Sequence, residues 1–311
     1  MPLTIYYGIA TNYRDVTKIT RSRLVRHGHI IIPKGDKIRA KIFGDHLPGT
    51  QKHIRVIIDD VATEYKEGQV VKIPLNEVIL YGKQRAFWRA KNLRDLEPVK
   101  QLQWLHQHLV MIGGSLSREY PEQLIILSYL NENATVLELG SNIGRSTCVI
   151  ASVLSDSSRL VTLECCPKTA RILSRNRAAN GFKFHIEVAA LSKVKLAQKR
   201  WNTVEYTGKV PTGYQAVNTI NFTQLQKKYS LRFDTLVADC EGALYQILRD
   251  EPTFLNDIKM IIVENDYRTL EQKRFVDKKL AAAGFKVIYT APAAARVKMC
   301  CAKEFYQVFR R

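Results

Sequence analysis

Nowhere in the 311 residues does an apolar run approach the ~20 residues that a membrane-spanning helix needs, so no membrane span is expected. The opening residues, Met1-Pro2-Leu3-Thr4-Ile5-Tyr6-Tyr7, lack a basic region followed by a long apolar stretch, and no secretory leader is read there. An intracellular, cytoplasmic protein is the expectation. The sequence also lacks any CxxC: its six cysteines, at 148, 165, 166, 240, 300 and 301, include two adjacent pairs at spacings that suit neither a zinc ribbon nor a disulfide framework. Reduced thiols are the simplest reading. A GxGxxG fingerprint is missing as well, which disfavours a dinucleotide site.

Acidic residues are scarce relative to basic ones, 29 against 48, for a formal charge of +19. A charge of that size suggests attraction to polyanions or phosphorylated sugars without naming a partner. The excess is spread out: residues 1–95 carry 18 Lys and Arg against 9 Asp and Glu, so a dedicated basic tail is excluded. With 46% hydrophobic residues the chain is long enough to bury one large α/β domain and a smaller one.

From Ile5 to about Leu80 short β-favouring runs alternate with turn signals, as in Gly28-His29-Ile30-Ile31-Ile32-Pro33 and His53-Ile54-Arg55-Val56-Ile57-Ile58-Asp59-Asp60, which predicts a small all-β module over residues 1–80. His27, His29 and His53 sit in basic surroundings without an acidic or thiol partner at ligand spacing, and no metal is assigned to them. A linker and helix are expected over 81–117, including Arg85-Ala86-Phe87-Trp88-Arg89 and ending at Gly113-Gly114-Ser115. A second domain is expected over 118–311, opening with a helix in which Pro121 takes an early position.

In that domain strands and helices alternate, which predicts a mostly parallel sheet with ligands at the carboxyl ends of its strands. The pivotal stretch runs from Thr135 to Thr147. A β-favouring run leads through Glu138-x-Gly140-x-x-x-Gly144 into a Ser/Thr-rich helix start, so backbone N–H groups can approach a ligand and Glu138 can accept hydrogen bonds. The next strand ends in Leu163-Glu164, in register for a carboxylate that takes both hydroxyls of a ribose. Asp239 and Glu241 close a fourth strand and Glu264 a fifth, so three carboxylates are expected to face one cleft. They suit either a base and orienting pair for a hydroxyl or the ligands of a Mg²⁺ or Ca²⁺ ion, with the base favoured and no metal assigned. The segment from Lys193 to Tyr229 reads as a long irregular insertion whose Trp201, Tyr206 and Tyr214 suit a sugar ring, with Tyr267-Arg268 as a second wall.

The motifs Val136-Leu137-Glu138-Leu139-Gly140-Ser141-Asn142-Ile143-Gly144, Leu163-Glu164, Ala190-Leu191-Ser192, Asp239-Cys240-Glu241-Gly242-Ala243 and Ile262-Val263-Glu264 resemble the FkbM family of S-adenosylmethionine-dependent methyltransferases over about residues 115–311. The resemblance implies the class I methyltransferase fold, a Rossmann-like seven-stranded sheet whose last strand is antiparallel. It also implies that Glu138, Gly140, Ser141, Asn142 and Gly144 line the methionine end of S-adenosylmethionine, Glu164 its ribose, and Ala189 or Ala190 its adenine, with Asp239 beside the sulfonium. One departure stands out: where the family often carries Lys two residues before the Asp, this chain has Val237. Residues 3–58 resemble a module found ahead of glycan-modifying enzymes in large DNA viruses, which implies an oligomerising or docking role and, for a viral protein, the host cytoplasm.

The leading expectation is therefore an O-methyltransferase acting on a sugar hydroxyl of a glycan or sugar nucleotide. The charge keeps open an RNA ribose or cap methyltransferase. A non-catalytic oligomerising or attachment protein is the third reading, disfavoured by the intact Glu138, Gly140, Gly144, Glu164 and Asp239.

Overall fold

The computed structural model describes residues 3–26, 29–58, 61–74, 96–112, 114–293 and 300–311. His27, Gly28, Asp59, Asp60, Gly113 and the expected linker through residue 95 lie outside the described residues. The chain divides into two compact units, Met1–Phe87 and Trp88–Arg311.

In the first unit, strands β1 (Leu3–Ile9) and β2 (Asn12–Asp15) form a hairpin, and β3 (Val25–Arg26) and β4 (His29–Ile32) follow. Then come β5 (His53–Ile58), β6 (Val61–Tyr65) and β7 (Val71–Pro74). They build two antiparallel sheets, β2-β1-β5-β6 and β3-β4-β7. The expected all-β character needs correction, because Thr17–Arg23 and Asp36–Phe43 are helices. Both are short, and at neither does an N-cap side chain bond the first turn, so the usual sequence signature of a helix start is missing. Ile5, Tyr7, Ile30, Ile32, Phe43 and Ile54 form the core. Beside it the fully buried Arg39 donates to the carbonyls of Pro33, Lys66 and Gln69, which satisfies a guanidinium that would otherwise be costly to bury.

The second unit is built on a seven-stranded sheet. Strands β8 (Val136–Leu139), β9 (Leu160–Leu163), β10 (His185–Glu187), β16 (Thr235–Ala238), β17 (Met260–Glu264) and β18 (Lys286–Ala291) run in one direction, and β19 (Tyr306–Arg310) alone runs against them. The order β10-β9-β8-β16-β17-β19-β18 places the last strand antiparallel between β17 and β18, the topology expected of the class I methyltransferase fold. Strands β8, β9 and β16 are buried at every position, which is why they are mostly apolar without a polar face, the buried Glu138 and Thr162 of β8 and β9 being paired with each other. Helices Pro98–His108, Tyr120–Tyr129 and Arg145–Val153 pack against one another, as do Ala243–Asp250 and Leu270–Ala282.

Residues 193–229 depart from the irregular insertion expected of them. Beyond β11 (Ala190–Leu191), strands β12 (Leu196–Lys199), β13 (Asn202–Glu205) and β14 (Gln215–Val217) form an antiparallel sheet, and β15 (Thr219–Ile220) pairs with β11. A helix then runs over Phe222–Tyr229 with a capping box between Asn221 and Gln224. These strands were hard to read because their faces are half-exposed and polar, so no apolar alternation marks them. Among the described residues no helix is long and apolar enough to cross a membrane.

Below the fourth strand, Phe254 is fully buried and meets Phe222 edge-on at a centroid distance of 4.8 Å. Phe254→Ala is expected to cost about 3–5 kcal/mol of stability, read as a lower urea midpoint with the slope unchanged. A loss under about 1 kcal/mol would mean that the site collapses around the smaller side chain.

Candidate functional site

The turn after β8 is fixed by backbone crowding. Gly140 has φ +88°, and a Cβ placed there would lie 1.7 Å from the carbonyl oxygen of Asp239, so no side chain fits. The amides of Gly140 and Ser141 both donate to the Leu163 carbonyl at 3.1 Å, and the Ser141 hydroxyl donates to the same oxygen at 3.2 Å. Gly144, at φ +94°, is the N-cap of helix Arg145–Val153, and a Cβ there would meet Leu173 at 2.5 Å. Sequence and structure thus agree on where the turn lies, while Ser141 and Gly144 serve its packing rather than an open surface.

A cavity of about 290 Å³ opens at the carboxyl ends of the central strands. Gly140, Asn142, Glu164, Ala189, Ala190 and Asp239 line it, together with Glu241. Glu164 caps β9, accepts the Cys166 amide at 2.7 Å, and is raised by burial above the usual carboxylate range. Glu138 is placed elsewhere. It is 3% exposed, accepts a 2.5 Å hydrogen bond from the Thr162 hydroxyl opposite it on β9, and is pushed up to about 7 by burial. Glu138, Ser141 and Gly144 do not line the cavity.

The three carboxylates expected to face one cleft divide: Asp239 and Glu241 line the cavity, while Asp239 and Glu264 come together in a cluster that Glu122, a residue sequence reasoning missed, joins in place of Glu241. Glu122, from the first turn of helix Tyr120–Tyr129, is 3% exposed. Glu122, Asp239 and Glu264 each offer an oxygen, and these oxygens lie within 4.8 Å of one another. The Ser146 hydroxyl donates to Glu122 at 2.7 Å, and Arg145 pairs with neighbouring Glu119 at 2.9 Å. An acid after an early proline reads as a complement to the helix dipole, which concealed the convergence.

Burial is the main cause of the proton affinities here, and mutual repulsion adds to it. Glu264 is pushed up to about 9 by burial and then by Asp239; Asp239 rises well above its ordinary range by burial and then by Glu122. Glu122 rises likewise, by burial and then by Glu264. Asp266, which accepts the Gly242 amide at 2.7 Å, reaches about 7 through burial, and Glu241 is raised by the same cause. Close buried carboxyls share protons as a set and hold them near neutral pH, so a cation or a cationic ligand placed beside them draws those protons off and leaves carboxylates that can take up a proton or ligate the cation.

The expected acceptor walls divide. Trp201 lines the cavity, whereas Tyr206 and Tyr214 do not, and Asn202 donates to the Tyr214 hydroxyl at 2.6 Å. Tyr267 is not a wall: it is 2% exposed and belongs to the core beneath helix Ala243–Asp250, because its ring is large enough to fill space there. Arg268 instead donates to Asn202 of β13.

No protein-family model and no curated protein matches the chain. Among solved structures it is similar to the ribosomal protein L11 methylase of Lactobacillus delbrueckii subsp. bulgaricus, at 12% identity over 65% of this chain and 81% of that one, with a TM-score of 0.40. It is also similar to the O-methyltransferase from Bacillus cereus in complex with SAH, at 17% identity over 65% and 84%, with a TM-score of 0.39. At TM-scores of that size the likenesses carry no argument, and the fold and site rest on the chain's own strand order and geometry.

Because Glu138 takes up a proton on folding, between about 4.5 and about 7, its contribution to stability is complete below the lower value and is lost as pH rises through the upper one. Glu138→Gln keeps an acceptor for Thr162 and removes that titration. Relative to the variant, the unaltered protein is expected to lose stability across this window in urea unfolding; parallel pH curves would show that Glu138 does not titrate there.

Proposed function

We propose that the chain is an S-adenosylmethionine-dependent methyltransferase of FkbM type that transfers a methyl group to a sugar hydroxyl of a glycan or sugar nucleotide. The observation that carries this reading is one cavity that joins the Gly140–Asn142 turn, the Glu164 carboxylate and Asp239 at the carboxyl ends of β8, β9 and β16. The residues fit the cofactor: the turn has no side chain at its closest approach, an acidic strand end suits two ribose hydroxyls, and carboxylates suit a cation.

When bound, S-adenosylmethionine supplies an electrophilic methyl group on a positively charged sulfur. The protein's part is positioning and proton removal. Asp239 stands at the cavity, and the set Glu122, Asp239 and Glu264 takes the hydroxyl proton as the oxygen attacks, a contribution of roughly 10²–10⁴ in rate. Glu241, at the cavity wall, orients the acceptor. Val237 is buried in the sheet and offers no amine. The 4.8 Å spacing favours one second reading, a divalent cation across Glu122, Asp239 and Glu264 that orients the hydroxyl.

For the first unit we read a docking or oligomerising role. Six free thiols fit a reducing, cytoplasmic compartment, that of the host if the protein is viral.

Methyl transfer from labelled S-adenosylmethionine to a panel of oligosaccharides, sugar nucleotides and RNAs tests the reading. Label is expected in a carbohydrate acceptor, and label confined to RNA would overturn the substrate class. Asp239→Asn is expected to lower turnover about 10²–10⁴-fold while S-adenosylhomocysteine, which carries no sulfonium charge, still binds; unchanged turnover would remove Asp239 as base. Insensitivity to a chelator is expected for the base reading, and loss of activity would favour the cation.

A further inference from the structure

The β12–β13 hairpin turns through two residues, Arg200 and Trp201, since Lys199 pairs with Asn202. Arg200 holds φ +54°, a left-handed conformation that is costly for a side-chain-bearing residue and that persists where surrounding structure or function maintains it. Trp201, next to it, is 63% exposed, more than any other large apolar side chain among the described residues. It nonetheless lines the cavity, so the exposed ring stands at the rim of the site.

The hairpin covers one part of that site. Its Leu196, Gln198 and Thr203 line the cavity with Trp201, as do Glu164 and Cys165 at the end of β9. Ala189, Ala190 and Leu191, which follow β10, line the same cavity with apolar side chains, two of them no larger than a methyl group. Glu122 and Glu264, by contrast, do not line this cavity. The hairpin is latched to the rest of the domain at two points, where Arg268 donates to Asn202 and Arg249 pairs with Glu205 at 2.6 Å, and within the insertion Asn202 donates to Tyr214.

The geometry points to Trp201 as a nucleoside-recognition residue that stacks on the adenine of the cofactor, with the hairpin as the roof of the nucleoside subsite and the acceptor entering from the carboxylate side. This rests on the cofactor reading above and reassigns Trp201 from acceptor to cofactor. A cavity lined by an indole, two alanines and the Glu164 carboxylate suits a nucleoside, since an aromatic face recognises a base through stacking rather than through hydrogen bonds. Covering the ring also removes its exposed apolar surface from water.

Calorimetric titration of the full chain with S-adenosylhomocysteine and with adenosine tests this. Trp201→Ala is expected to weaken both ligands by the same factor, about tenfold or more, the usual loss on removing an aromatic partner from a base. Trp201→Phe is expected to restore most of the affinity, which a merely structural role in the hairpin would not require. Thermal unfolding of each variant checks that the domain is intact. Wild-type affinity in a folded Trp201→Ala overturns the proposal, as does a variant that raises only the KM for the acceptor. Failure of the unaltered protein to bind S-adenosylhomocysteine removes the cofactor reading itself, an outcome distinct from loss in the variant alone.

Discussion

Strands β8 and β16 end against each other so closely that the Asp239 carbonyl occupies the space where a side chain of residue 140 would stand. The Asp239 amide in turn donates to the Leu139 carbonyl at 3.1 Å, which continues the sheet ladder one residue past both strands. This contact couples the two loops that matter. The glycine turn cannot move away from the acidic loop without breaking the last rungs of β8 and β16, so a ligand seated on one is placed beside the other. The double donation of Gly140 and Ser141 to Leu163 ties in β9, and with it Glu164. Three strand ends are thereby held in one arrangement before any ligand arrives, the preorganisation that positioning catalysis depends on.

Around this junction the protein reverses its own charge. The chain carries +19 overall, yet Glu119, Glu122, Asp239, Glu241, Glu264 and Asp266 act on one another at the site, and the pair at 2.9 Å between Glu119 and Arg145 neutralises only its edge. Desolvation outweighs the surrounding positive charge for these groups, since screening in water confines surface fields to about 8 Å. The result is a set of carboxyls that hold protons near neutral pH and become able to take one from a hydroxyl only when a member is ionised. A positively charged ligand stabilises their ionised forms, so cofactor binding and proton release are linked.

The legible part of this structure is the part governed by local pattern. Buried parallel strands announce themselves as apolar runs, and Gly140, Glu164, Asp239 and Glu264 follow from their places at strand ends. Glu122 did not, because it arrives from a helix before the sheet begins, and only the packing of Tyr120–Tyr129 against Arg145–Val153 brings it to Glu264. Glu138 was legible as a strand residue beside the turn, and its bond to the Thr162 hydroxyl was not, since that partner comes from the register of β8 with β9. Tyr267, expected with Arg268 as a second wall for the acceptor, is instead taken into the core by tertiary packing, which local sequence does not reveal. The polar strands of the insertion and the two short uncapped helices of the first unit lacked the periodicity that would have revealed them.

The account as a whole depends on the junction of β8, β9 and β16 holding a sulfonium cofactor. Isothermal titration of the unaltered chain with S-adenosylhomocysteine measures this most directly. It predicts saturable binding at one site per chain, displaced by S-adenosylmethionine. No heat of binding up to millimolar ligand would contradict it.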